Sequence, residues 1–269
     1  MSDAARPQVQ SGDRSQSPDA GVLPRPAPAS GDPAAAAPSL HGAVLEGRAL
    51  TKVYREEDGS ELAILEGVEI RVAPGEVIAV TGASGAGKST LLHLLGALDH
   101  PTAGDVLLEG RSLASLTERE LAAVRNQRIG FVFQFHHLLR EFTALENVMM
   151  PMLIGGMPEP EATERASALL ERVGLSPRLG HKPGALSGGE QQRVAVARAL
   201  ANTPAVVLAD EPSGNLDTHT SEQLHDLFFG LRAEHGVAMV LVTHNRELAD
   251  RTDRILQLKD GLLRQVDAA

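Results

Sequence analysis

Apolar residues in this chain fall into two rhythms, and their alternation predicts strands and helices in succession. Residues 43 to 81 read as strand-rich and close on the apolar run Val77 to Val80, and a helical run follows from Ser89 through Leu95. A further strand is expected near Asp105 to Glu109, and Thr117-Glu118-Arg119-Glu120 reads as a capping box that opens a helix. A short strand, Ile129 to Phe133, precedes a stretch from about 135 to 185 where the pattern turns helical. That stretch includes Glu159 to Val173, stopped by Gly174 and Pro177. Another helix is expected from Ser187 to about Ala201. Val206 to Ala209, bounded by Pro204 and Pro212, is continuously apolar, the pattern of a strand buried on both faces of a parallel sheet. After the strand-like run Val240 to Thr243 the alternation continues through Leu258, and Asp260-Gly261 predicts a final hairpin turn. The order gives an α/β fold with a mainly parallel core sheet.

Composition divides the chain into one folded domain and a tail. Residues 1 to about 42 are rich in Pro, Ala, Ser, Gly and Asp and poor in large apolar side chains. They cannot bury enough surface to offset the entropy of ordering, so this Pro/Ala-rich tail is expected to be disordered. It has neither the apolar core of a secretory signal nor the arginine bias of a transit peptide, which predicts a protein kept in the cytoplasm. Across 269 residues there is one set of motifs and no self-similar second half. With no cysteine, disulfides, thiolate metal sites and thiol catalysis are excluded. No apolar run approaches the roughly 20 residues needed to span a bilayer. A formal charge of −10, with Lys and Arg scattered among acids, argues against a nucleic-acid partner.

Candidate chemistry begins at Gly82-Ala83-Ser84-Gly85-Ala86-Gly87-Lys88-Ser89, which fits G-x-x-x-x-G-K-[ST] between a predicted strand and a predicted helix. Glycines at 82, 85 and 87 let the backbone curl around an anion with its N–H groups inward, and the helix adds the positive end of its dipole. Gly82 through Thr90 thus form a candidate cradle for ATP. Lys88 is expected to reach the β- and γ-phosphates, and the Ser89 hydroxyl to ligate Mg²⁺. Asp210 and Glu211 emerge at the carboxyl end of a buried strand, where open α/β sheets place their ligands. Asp210 is the candidate Mg²⁺ carboxylate, and Glu211 is placed to take a proton from an attacking water or to polarise it. Ser187 as N-cap, with Gly188 and Gly189 leaving backbone donors uncovered, makes a second candidate anion site.

The segment Leu186-Ser187-Gly188-Gly189-Glu190-Gln191 resembles the signature of ATP-binding cassette (ABC) proteins. That resemblance implies a P-loop NTPase fold of ABC type over residues 43 to 267, with an antiparallel β subdomain and a helical signature subdomain of about 135 to 200. It implies that Ser187, Gly188 and Gly189 close on the γ-phosphate held by a partner protomer, so that a head-to-tail homodimer encloses two ATP. By the same resemblance Gln134 is the glutamine that senses Mg²⁺ and water at the start of the segment meeting a transmembrane partner. Asp217, in Gly214-Asn215-Leu216-Asp217, is the aspartate at the dimer contact, and His244 the switch histidine on the γ-phosphate. Tyr54, the sole tyrosine, sits where the family stacks an aromatic ring on adenine. Asn245 departs from the aspartate more usual there.

A narrower resemblance extends from about residue 44 to 265. Gln134-Phe135-His136-His137-Leu138-Leu139, the run Phe142 to Pro151, Leu91 to Gly96 and Leu208 to Pro212 look like the lipoprotein-releasing ATPases of the LolD group. Position 213 is Ser where that group commonly has Thr, which keeps the hydroxyl, and the Pro/Ala tail is not part of its pattern. The resemblance implies two LolC/LolE-like transmembrane permease subunits, a peripheral place on the cytoplasmic face of the bacterial inner membrane, and release of lipoproteins toward the outer membrane. The ATPase of a macrolide-type exporter or of a cell-division complex would share the nucleotide site and stays open. A soluble ABC protein acting on DNA or ribosomes would need tandem cassettes or a coiled-coil insertion, neither of which is visible; a non-hydrolysing scaffold is opposed by Lys88, Asp210, Glu211 and His244. Four of the six methionines fall between 149 and 157, beside Pro151, Leu153 and Ile154. Met suits a groove that receives a partner helix and equally suits the core of the helical subdomain. His136 and His137 are adjacent and share no face, which points to a polar surface rather than a metal site.

Overall fold

The computed structural model describes residues 42–55 and 59–266, so the tail expected over residues 1 to 42 lies outside the described residues save Gly42. In chain order the first elements are β1 (Leu45–Arg55), β2 (Glu61–Val72), β3 (Val77–Thr81), α1 (Lys88–Leu95), β4 (Ala103–Leu108) and β5 (Arg111–Ser112). Next come α2 (Glu118–Arg128), β6 (Ile129–Val132), α3 (Ala144–Ile154), α4 (Glu159–Arg172) and α5 (Gly188–Leu200). The last are β7 (Val206–Asp210), α6 (Thr218–His235), β8 (Ala238–Val242), α7 (Arg246–Asp250), β9 (Arg254–Lys259) and β10 (Leu262–Val266).

Two sheets result. One is antiparallel in the order β2-β1-β4-β5, and the other runs β10-β9-β3-β8-β7-β6, parallel except for β10. The apolar runs read as doubly buried strands behave so, because successive side chains point to opposite faces. Ile78, Val80, Val206, Leu208, Val240 and Val242 enter a core shared with α1 and the antiparallel sheet. Val77, Val207, Ala209, Met239 and Leu241 enter a second core packed by α3 to α6. Each such Val, Leu, Ile or Met side chain contributes about 1.5–3 kcal/mol of burial. Asp260 and Gly261 both have positive φ, 50° and 72°, the twist of a two-residue hairpin turn between β9 and β10.

Helix starts follow a repeated device. Capping boxes open α2 at Thr117 and Glu120, α3 at Thr143 and Glu146, and α5 at Ser187 and Glu190. The helical pattern expected from about 135 begins only at Ala144, and residues 135–143 form a loop. Asn147 organises that loop: fully buried, it accepts from Leu139 N–H and donates to the carbonyls of Leu139, Phe142 and Thr143. Pro151 stands inside α3. Of the clustered methionines, Met149 and Met152 fill the helical core, while Met150 lines a groove with Pro151 and Ile154. No helix among the described residues is long and apolar enough to cross a membrane.

Candidate functional site

The loop after β3 is shaped by two glycines that nothing larger can replace. Gly82 has φ 152°, and a Cβ there would lie 2.4 Å from the Leu258 carbonyl oxygen of β9. Gly87, at φ 97°, would place a Cβ 2.6 Å from Ile64 of β2. The loop is therefore clasped between the hairpin and the antiparallel sheet. Lys88 Nζ curls back over it and donates to the Gly82 and Ala83 carbonyls, each at 2.9 Å.

Gly82, Ser84, Gly85, Gly87, Lys88, Ser89 and Thr90 line a cavity of about 460 Å³ together with Ile64, Gln134, Asp210, Glu211 and His244. That volume suits a small ligand. Ala83 and Ala86 face an adjoining cleft toward the β9–β10 hairpin. Glu211 follows β7 with φ 44°, a left-handed conformation uncommon for a residue with a side chain. Its N–H donates to Val242 O at 2.9 Å, and its carboxylate accepts from His244 N at 3.3 Å and meets His244 Nδ1 at 2.9 Å. Asp210 and Ser89 make no side-chain hydrogen bond to any described residue, so a carboxylate and a hydroxyl stand open to the same cavity. This all-oxygen set, joined by the Gln134 amide, fits Mg²⁺.

Gln134 is held from the far side of the chain. Its Nε2 donates to Asn215 Oδ1 at 3.2 Å, and Asn215 Nδ2 returns a bond to Gln134 O at 3.2 Å. The segment beyond it is strapped to α5. His136 Nε2 lies 3.0 Å from Gly188 O, Arg198 donates to the carbonyls of His136 and His137 at 2.8 Å, and Gln192 reaches Phe133 O at 3.2 Å. Burial pushes the His136 imidazole and the Arg198 guanidinium below their ordinary pKa values. His137 instead turns its ring edge-on to Phe133. Nothing in the sequence signalled Asn215, Gln192 and Arg198 as site supports, because their partners lie 59 to 81 positions away.

Ser187, Gly188 and Gly189 do not line this chain's own cavity. Ser187 Oγ accepts from Glu190 N at 3.2 Å, and the Glu190 carboxylate accepts from Ser187 N at 2.8 Å. Arg178, bonded to the same carboxylate at 2.9 Å, and then the Ser187 N–H hold the Glu190 carboxyl down at about 2. Gly188 is exposed, but Gly189 is buried, and a Cβ there would come within 2.4 Å of Thr220 Cγ2. Gly189 thus serves the close approach of α5 to α6. Asp217 caps α6, accepting from Thr220 N at 3.0 Å and Thr220 Oγ1 at 2.6 Å, and these bonds lower its pKa. Asn245 caps α7 by accepting from Leu248 N at 2.9 Å, so the amide oxygen does the work an aspartate would do.

Tyr54 is not among the lining residues. Its hydroxyl is 3.0 Å from Asp99 Oδ2 and near the Thr90 hydroxyl, and Lys52 Nζ sits 4.9 Å from the ring centroid. The ring remains 40% exposed.

Comparison with known proteins agrees with this architecture. The profile of the ABC transporter family matches residues 65–214. The lipoprotein-releasing system ATP-binding protein LolD of Alcanivorax borkumensis is 55% identical over 223 residues, covering 83% of this chain and 97% of that protein. LolD of Bacteroides thetaiotaomicron is 54% identical over 204 residues, 76% of this chain and 94% of its own length. Among solved structures, the ATP-binding cassette MJ0796, a dimer bound to ADP and Pi in a post-hydrolysis state, superposes with a TM-score of 0.77 at 39% identity. It covers 84% of this chain and 99% of its own. By family profile and by relatives that match over nearly their whole length, the chain belongs to the ABC transporter family as an ATP-hydrolysing, ATP-binding protein.

Proposed function

We propose that two copies of this chain close head to tail around two MgATP and that hydrolysis drives a membrane complex releasing lipoproteins from the bacterial inner membrane toward the outer membrane. The observation that carries the dimer is the split site: phosphate loop, base and switch histidine share one cavity, whereas Ser187 to Gly189 stand apart from it. The second half must come from another copy. Identity above 50% to lipoprotein-releasing relatives supports the substrate class.

In this reading Ser89, Asp210 and Gln134 would hold Mg²⁺, which would supply positive charge against the phosphates. Lys88 exchanges the carbonyls of Gly82 and Ala83 for the β- and γ-phosphates. Water, its proton accepted by Glu211, attacks the γ-phosphorus in line; the bond to the β–γ bridging oxygen breaks, leaving ADP and inorganic phosphate. His244 orients Glu211 through Nδ1 and turns its other ring nitrogen to the γ-phosphate. Ser187 and the Gly188 and Gly189 backbone of the other copy complete the charge stabilisation. Tyr54 offers its ring to adenine.

A pair of LolC/LolE-like permease subunits would meet the groove beside β6 and α3, lined by Ile129, Phe131, Leu139, Met150, Pro151 and Ile154. Ile154 is 72% and neighbouring Phe135 66% exposed. The chain is then a peripheral subunit on the cytoplasmic face of the membrane. To test this, the tagged Glu211→Gln chain is trapped with MgATP in its native membrane, solubilised gently, and its partners identified. The expected result is a pair of multi-span proteins with bound lipoprotein. Recovery of a single exporter-type protein, a division complex or ribosomes would keep the ATPase and overturn its assigned work.

A further inference from the structure

Between Glu211 and Asp217 the chain makes a tight turn in which Gly214 N donates to Glu211 O at 3.0 Å and Leu216 N to Ser213 O at 3.1 Å. Ser213 is where this turn is tied to the body of the protein. Its hydroxyl lies 2.9 Å from Nε2 of His225 on α6, and its carbonyl accepts from Ser221 Oγ, also on α6, at 3.5 Å. Both members of the Ser213–His225 pair are inside, 8% and 2% exposed. Burying an imidazole costs free energy unless it is hydrogen-bonded, and an apolar side chain would fill a core position on α6 without that cost. Among the described residues this imidazole makes one hydrogen bond, and it goes to the turn that carries Glu211. Burial first and Arg251 second push its pKa below the ordinary value, against the opposing pull of Asp226, Glu247 and Glu222.

The geometry points to a role in turnover. We propose that His225 is a positioning residue for ATP hydrolysis, acting through the Ser213 hydroxyl to fix the turn that bears Glu211 at one end and Asp217 at the other. The inference rests on Glu211 being the base, as read above. His225 touches neither the phosphate loop nor the cavity, so nucleotide affinity is set elsewhere. What it governs is the placement of a carboxylate already held at φ 44°, and small misplacements of a reacting group are costly.

The experiment is steady-state MgATP hydrolysis by the full chain as His225→Leu, His225→Gln, Ser213→Ala and the His225→Leu/Ser213→Ala double variant, with Glu211→Gln alongside. His225→Leu and Ser213→Ala should each lower kcat roughly tenfold or more while KM for ATP stays within about twofold. Glutamine carries an amide atom close to the position of Nε2, so His225→Gln should restore most of the rate. The double variant should be no slower than the slower single one, because both remove the same bond. Unchanged kcat in Ser213→Ala, additive losses in the double variant, or a folded His225→Gln as slow as His225→Leu would overturn the proposal. Should His225→Leu fail to fold, the Ser213→Ala and His225→Gln results decide alone. Near-normal hydrolysis by Glu211→Gln would instead remove the base itself, whereas an inactive Glu211→Gln beside a fully active Ser213→Ala would sink only the role of His225.

Discussion

Glu211 is the residue on which strain and chemistry meet. A non-glycine side chain at φ 44° costs on the order of 1–3 kcal/mol, and that cost is offset by the Val242 carbonyl and the His244 pair around it. Replacing Glu211 by Gln keeps the shape and removes the proposed base, so ATP should remain bound while phosphate release stops; filter-retained radiolabelled ATP and phosphate assays measure the two separately. His244→Ala should lower kcat by roughly a hundredfold with a smaller change in ATP affinity from equilibrium titration, and weakened affinity with kcat unchanged would assign the ring to binding alone. At this scale the sequence was legible wherever chemistry is local. Lys88, Ser89, Asp210 and Glu211 could be named from motif and strand context because loop, cap and strand end lie within a few residues of one another. Asn215 against Gln134 and His225 against Ser213 were not, since their contacts exist only once the strand ends and α6 meet in space. Tyr54 was chosen by position in the family pattern, and the fold sets its hydroxyl on Asp99 outside the cavity lining.

Among the elements, α5 carries the most obligations: it presents the signature-like segment at one end, holds the His136 and His137 carbonyls through Arg198, and packs against α6 across Gly189. Gly189→Ala forces a methyl against Thr220 Cγ2 and should destabilise the protein by about 1–3 kcal/mol in urea unfolding; Thr220→Ala in the same chain should recover most of it. The cap has a pH signature. Glu190 titrates at about 2 in the folded protein against an ordinary 4.5, so its contribution is fully present above the unfolded value and disappears as pH falls through the folded one. Urea midpoints should therefore decline between about pH 5 and pH 2, and Glu190→Gln should flatten that segment of the curve. Element types were readable from periodicity because strands buried on both faces and amphipathic helices carry different rhythms. The helical pattern expected from about 135 gives way to a loop up to the capping box of Thr143 and Glu146, the same device that Thr117 and Glu120 spell. Leu138, Leu139 and Phe142 sustain an apolar rhythm through a loop that Asn147 stabilises from inside, and that rhythm imitates a helix.

At the scale of the molecule, the proposed dimer puts the dividing line between the two halves of the ATP site in the space between copies. Glu211→Gln should shift from monomer to dimer in light scattering when MgATP is added and stay dimeric, whereas the parent chain should return to monomer as ATP is consumed. A variant that remains monomeric at saturating MgATP would require the signature to act within its own chain. The clasp on the phosphate loop has a further consequence, one of timing. β3 lies in the sheet between β8 and β9, and Gly82 rests on the backbone of Leu258. A chain leaving the ribosome therefore presents its glycine loop before β8 and β9, the strands that flank β3, have been made. The clasped shape of the loop, and with it the cradle it offers a phosphate, is expected only in a chain extended past Leu258.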